Sequence, residues 1–109
     1  MDEIAVLHYR TVEGRIPYRD WVLSIADKTA RAAVLARVDR LAFGAFGDWK
    51  FVGAGVFELR VRFGPGFRVY FGRRGRTVVI LLCGGDKRTQ SADIKLATRY
   101  WKDYETRTR

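Results

Sequence analysis

The sequence predicts an α+β fold, an antiparallel meander with helices gathered on one face of its sheet. Three observations carry this. Between Val56 and Lys87 the chain twice alternates apolar and polar residues about Gly64-Pro65-Gly66, then runs apolar on both faces. Before that stretch, Tyr18, Trp21, Val22 and Ile25, and then Val34, Val38 and Leu41, recur at helical spacing. After it, Ile94, Ala97, Trp101 and Tyr104 do the same. The predicted order is β-α-α-β-β-β-α, with a four-stranded, mainly antiparallel sheet in a single domain spanning residues 1–109.

Ile4 to Thr11 (IAVLHYRT) is β-rich and alternating, as suits a first strand beside the central one. His8 falls in it and reads as a packing or hydrogen-bonding residue. After a turn at Glu13-Gly14-Arg15, Pro17 suits the first position of a short helix. Asp27 caps a second helix from Lys28 to about Phe43. Its buried stripe is Val34, Val38 and Leu41, helped by Leu35 and Ala42, which leaves Arg31, Arg37 and Arg40 on a solvated face. Phe43 to Gly55 is punctuated by glycine and reads as a mobile connection. Trp49 within it either lids the core or stacks on a base.

In the hairpin, Phe57, Leu59, Val61 and Phe63 face the core, and Glu58, Arg60 and Arg62 face away. Phe67, Val69 and Phe71 continue the apolar side, Arg68 and Tyr70 the polar one. A three-residue loop at Gly64 to Gly66 would set Arg62 opposite Arg68 and Arg60 opposite Tyr70. Opposed like charges are unfavourable by themselves and point to an anionic partner. Past a turn at Arg74-Gly75, Thr77 to Cys83 reads as the central strand, giving a sheet order of second, third, fourth, first. Gly84-Gly85-Asp86-Lys87 then returns to the same edge. Arg60, Arg62, Arg68 and Lys87 are thereby expected to converge on one rim of a face open to solvent. Arg88-Thr89-Gln90-Ser91 caps the last helix, and Thr106 to Arg109 is a frayed basic tail.

Composition limits the function. Lys and Arg number 21 against 12 acids, a net charge of +9, which favours nucleic acid or an acidic protein as partner. No stretch approaches the ~18 apolar residues of a membrane span, and the acidic start of the chain is unlike an export signal, so the cytoplasm is the expected location. Cys83 is the one cysteine and reads as a buried, inert thiol; zinc-type ligand clusters are absent, and no cofactor is expected.

The segments ELRVRFGPGFRVYF and LLCGGDKRTQSADIKLATRYWKDY resemble the addiction-module killer proteins, the HigB-like branch of the RelE/ParE toxin superfamily of type II toxin–antitoxin systems. The resemblance implies a compact RelE-like domain held inactive by a cognate antitoxin, a small helix-turn-helix protein encoded beside it, through which it meets DNA indirectly. It implies a metal-independent endoribonuclease that cuts messenger RNA on the ribosome, or alternatively, on the ParE side, an inhibitor of DNA gyrase. A non-catalytic nucleic-acid-binding module is a further alternative.

In such cleavage the RNA 2′-hydroxyl attacks the adjacent phosphorus, leaving a cyclic phosphate and a 5′-hydroxyl. Arg68 matches the superfamily's arginine after the hairpin turn and is assigned to phosphate stabilisation; Arg60 and Lys87 match further basic positions. Arg62, Arg68, Lys87, Arg88 and Trp49 are the expected RNA contacts. RelE carries a lysine where Glu58 stands and a tyrosine where Ile94 or a nearby apolar residue stands. The general base is therefore open: Glu58 serves as base or as the ion-pair partner of the arginines, and Tyr70 is another candidate base.

Overall fold

The computed structural model describes residues 3–108. Met1, Asp2 and Arg109, on which part of the reading of the N-terminus and of the basic tail rests, lie outside the described residues. The alternating segments form a meander of β3 (Val56–Val61), β4 (Phe67–Arg74) and β5 (Val78–Asp86). β1 (Ala5–His8) joins β5 in parallel, and β2 (Trp49–Gly53) joins β3 antiparallel, so the sheet runs β1-β5-β4-β3-β2.

The class is α+β, but the sheet has five strands rather than four, and the order is β-α-α-β-β-β-β-α. The additional strand, β2, lies in the stretch expected to be a mobile connection. Trp49 and Phe51 pack on Phe57, with ring centroids 5.7 and 5.2 Å apart. The glycines that suggested a connection build the turn into β3: Gly53, Ala54 and Gly55 all have positive φ (99, 52 and 82°).

The β3–β4 register is also shifted by two residues from expectation. Arg60 faces Arg68, and Glu58 faces Tyr70. The loop comprises Arg62 to Gly66, closed by hydrogen bonds from the Phe63 amide to the Val61 carbonyl and from the Gly66 amide to the Phe63 carbonyl, both 3.0 Å. A shift of two keeps every side chain on its own face, so alternation alone cannot choose between the two registers.

The helices lie on both faces of the sheet, not one. α1 (Pro17–Ser24) and α2 (Lys28–Asp39), followed by a 3-10 turn (Arg40–Phe43), cover one face. There Val22, Val34, Val38 and Leu41 bury against Leu59, Val61, Val69, Phe71, Val79 and Leu81. Pro17 stands in the first turn of α1, and Asp27 caps α2 by accepting from the amides of Thr29 (2.8 Å) and Ala30 (3.3 Å).

α3 (Gln90–Arg107) crosses the opposite face, where Ala97 and Trp101 bury against Tyr70, Ile80, Leu82 and Cys83. A bulge in β5 supplies this second core. Tyr70 pairs with Cys83 and Phe71 with Leu81, so Leu82 is the extra residue, and both Leu82 and Cys83 join the α3 side. Trp101 lies flat on Gly72, where a Cβ would come within 2.2 Å of the indole.

The arginines of α2 are not all solvated either. Arg37 is buried and donates from Nε to the Arg60 carbonyl (3.2 Å) and from Nη2 to the carbonyls of Phe46 and Asp48. It straps the segment before β2 to α2 and β3. Arg31 is half-buried and donates to the Ile25 carbonyl. Among the described residues no helix is long and apolar enough to cross a membrane.

Candidate functional site

Residues directly opposed in an antiparallel pair share a face. The observed register therefore sets Glu58, Tyr70, Arg60 and Arg68 together, on the face that α3 crosses. The Glu58 carboxylate is fully buried. Its Oε1 lies 3.2 Å from Arg60 Nε and 3.4 Å from Arg68 Nε. Its Oε2 accepts from the Tyr70 hydroxyl (3.3 Å) and from Nε2 of Gln90 (2.7 Å), the first residue of α3.

One carboxylate thus holds two guanidiniums that would otherwise repel each other across the strands. The Arg60 contact has hydrogen-bond geometry; the Arg68 contact is ionic, and the buried Arg68 Nε has no hydrogen-bond partner. Arg68 also donates from Nη1 to the Gly66 carbonyl (3.4 Å), which ties it to the loop. The Arg60 side chain is 35% exposed and that of Arg68 14%, so both reach solvent at the edge of the cluster while Glu58 does not. Burial, and then the negative charge of Glu58, push the Tyr70 phenol above its ordinary range, which suits the donor role it has here.

The face expected to be open is therefore closed over Glu58 and Tyr70, and of the four expected cations Arg60 and Arg68 are the two that Glu58 holds. Arg62 lies beyond the end of β3, is exposed, and pairs with Asp48 at 3.0 Å. Lys87 and Arg88 are exposed in a 3-10 turn (Lys87–Thr89) after β5, where Arg88 pairs with Asp86 at 3.1 Å. Trp49 pairs with Leu59 and so sits on the α2 side of the sheet, across from the Glu58 cluster.

Two residues missed by the sequence reading belong to the cluster's face. Gln90 is one. Lys50 is the other: it pairs with Glu58 across β2 and β3 and is exposed. The alternation in Trp49-Lys50-Phe51, read as a strand, would have placed Lys50; nothing local in the sequence places Gln90, because that depends on the side from which α3 packs.

Elsewhere, His8 packs edge-on against Tyr18 at 5.3 Å, and burial, then the Arg19 charge, hold its imidazole below its usual range. Burial pushes the Cys83 thiol up to about 12. Among the described residues no group of three or more His, Cys, Asp or Glu is placed to hold a metal ion.

The family described as Phage derived protein Gp49-like (DUF891) matches residues 21–102. That span runs from α1 into α3 and contains every residue of the Glu58 cluster. An uncharacterised protein of Haemophilus influenzae is 45% identical over 86 residues, which cover 79% of this chain and 87% of that protein.

Proposed function

We propose, for a chain that belongs to the phage-derived Gp49-like family, the role of toxin in a type II toxin–antitoxin pair, acting as a ribosome-dependent endonuclease on messenger RNA. Placement in the HigB-like branch of the RelE/ParE superfamily is part of this reading, and so is a cognate helix-turn-helix antitoxin that masks the site. One observation carries it: a fully buried carboxylate fixing the guanidiniums of two arginines whose side chains reach solvent.

The chemistry needs charge stabilisation on phosphorus above all. As the 2′-oxygen attacks and the bond from phosphorus to the 5′-oxygen breaks, negative charge builds on the non-bridging oxygens. Guanidiniums already aimed there stabilise it without reorganising, typically worth a factor of 10² to 10³ for one such donor. Arg68 and Arg60 take that role. Glu58 acts through them as a positioning residue, and Tyr70 and Gln90 satisfy its second oxygen. Lys87 lies one residue beyond Asp86, the partner of Phe67, and adds a cation beside the hairpin turn.

The test is brief induction in a host cell with mapping of new 5′ ends on translated messages, using Arg68→Ala as control. Cuts in register with the reading frame that vanish in a folded Arg68→Ala protein are expected. Growth arrest with intact messages and DNA breaks would replace this reading with gyrase inhibition, and absence of both effects would leave a binding module.

A further inference from the structure

A second cluster of cations lies around the end of the hairpin, on the α2 side. A cavity of about 310 Å³ opens between α2 and the end of β3, lined by Arg37, Arg40, Arg60 and Arg62. The methyl-sized side chains of Ala33 and Ala36 on α2 make it concave, with Val61 and Phe63 as the opposite wall. Asp48 is the one acidic residue in the lining, and its carboxylate is engaged by Arg62 at 3.0 Å.

Arg37 is the unusual member. It is only 8% exposed, yet its Nη1 is buried without a hydrogen-bond partner while Nε and Nη2 serve backbone carbonyls. A buried guanidinium nitrogen left unpaired is costly. Burial, then the nearby Arg40 charge, lower the Arg37 pKa, and the Asp48 carboxylate offsets this only in part. Arg60 lies between the two sites: it lines this cavity and its backbone carbonyl accepts from Arg37, while its Nε pairs with Glu58 on the other face.

We infer that this cavity is a second anion subsite, which takes a backbone phosphate of the same single-stranded RNA whose scissile phosphate lies at Arg60 and Arg68. The inference rests on the RNA reading above. The exposed forks of Arg40 and Arg62 at a concave space floored by Arg37 suit a phosphate, and a cavity that reaches Arg60 suits a strand running from one site to the other. An acidic peptide, by contrast, would need only the exposed cations.

The test uses the full chain and a labelled, 2′-O-methylated single-stranded RNA of about twelve nucleotides, within the usual span of such sites. Lacking the attacking hydroxyl, this probe reads binding apart from cleavage. Arg40→Gln and Arg62→Gln are the variants, because both residues are exposed, whereas Arg37 holds backbone carbonyls of neighbouring segments. Each is expected to weaken binding about tenfold and to reduce the slope of log affinity against log salt by about 0.7. Unchanged affinity and slope in both folded variants overturn the inference. So does polyglutamate binding that the substitutions weaken while RNA binding stands. If the substitutions weaken probe binding but messages in cells stay intact, the subsite stands and the nuclease reading falls.

Discussion

Glu58 is the residue on which the site depends, and its environment sets two predictions of different size. Glu58→Gln keeps the shape but removes the charge that offsets Arg60 and Arg68, and an uncompensated, partly buried cation pair costs about 3 kcal/mol. Tyr70→Phe removes one donor to Oε2, where Gln90 still donates, and should cost about 1 kcal/mol. Urea denaturation of both variants checks this; equal losses would mean that the carboxylate's charge is not what matters. Cys83 offers a check on burial. With its thiol pushed up to about 12, modification at pH 8 should wait for unfolding, so a thiol reagent in the native state should react far more slowly than in urea. Alternation placed Glu58, Arg60, Arg68 and Tyr70 on one face from sequence alone. What it did not reveal is that Glu58 lies behind the arginines, because that follows from the helix above it.

At the scale of elements, errors arose where local patterns are degenerate. A shift of two residues conserves faces, so only the closure of the Arg62–Gly66 loop distinguishes the registers. β2 was obscured because its turn glycines look the same as those of a loop. The stripe Ile94, Ala97, Trp101 and Tyr104 identified an amphipathic helix but not which face of the sheet receives it; the bulge at Leu82, which gives that face its apolar surface, has no sequence signature. Gly72→Ala probes the choice. Its methyl meets the Trp101 ring, and overpacking of this kind costs roughly 1–3 kcal/mol, measurable as a lowered urea midpoint. The far end of α3 is latched by Asp103, which accepts from the Tyr9 hydroxyl at 2.5 Å and pairs with Arg107 at 2.7 Å. The Tyr9 hydrogen bond, then Arg107, hold the Asp103 carboxyl below its ordinary value of 3.8. A depressed folded pKa contributes stability above the unfolded pKa that is lost as pH falls through the folded one. Wild type should therefore lose stability between pH 5 and 2 more steeply than Asp103→Asn, a difference absent at neutral pH slopes.

For the whole molecule, the two cores are built from the same strands. Val69, Phe71, Val79 and Leu81 face α1 and α2, while Tyr70, Ile80 and Leu82 alternate with them and face α3. Neither layer can dissolve without stripping one side of β4 and β5, so the chain should unfold in one transition, as small proteins with a continuous structural core do. The tryptophans make this measurable, since Trp21 rests on Gly84 on one face and Trp101 on Gly72 on the other. Trp49 is 49% exposed on the edge strand and can be replaced by Phe to remove its signal. Single-tryptophan variants retaining Trp21 or Trp101 should then report the same midpoint as circular dichroism once each midpoint is referred to its own variant's stability. A Trp101 signal that changes at lower urea than the circular dichroism of the same variant would mean that α3 leaves the sheet first, exposing Glu58 and removing its Gln90 hydrogen bond before the fold is lost. That outcome would make the cover over Glu58 a separable layer, and, because Glu58 positions Arg60 and Arg68, it would predict that cleavage falls as access to Glu58 rises, at denaturant concentrations where β4 and β5 are still paired.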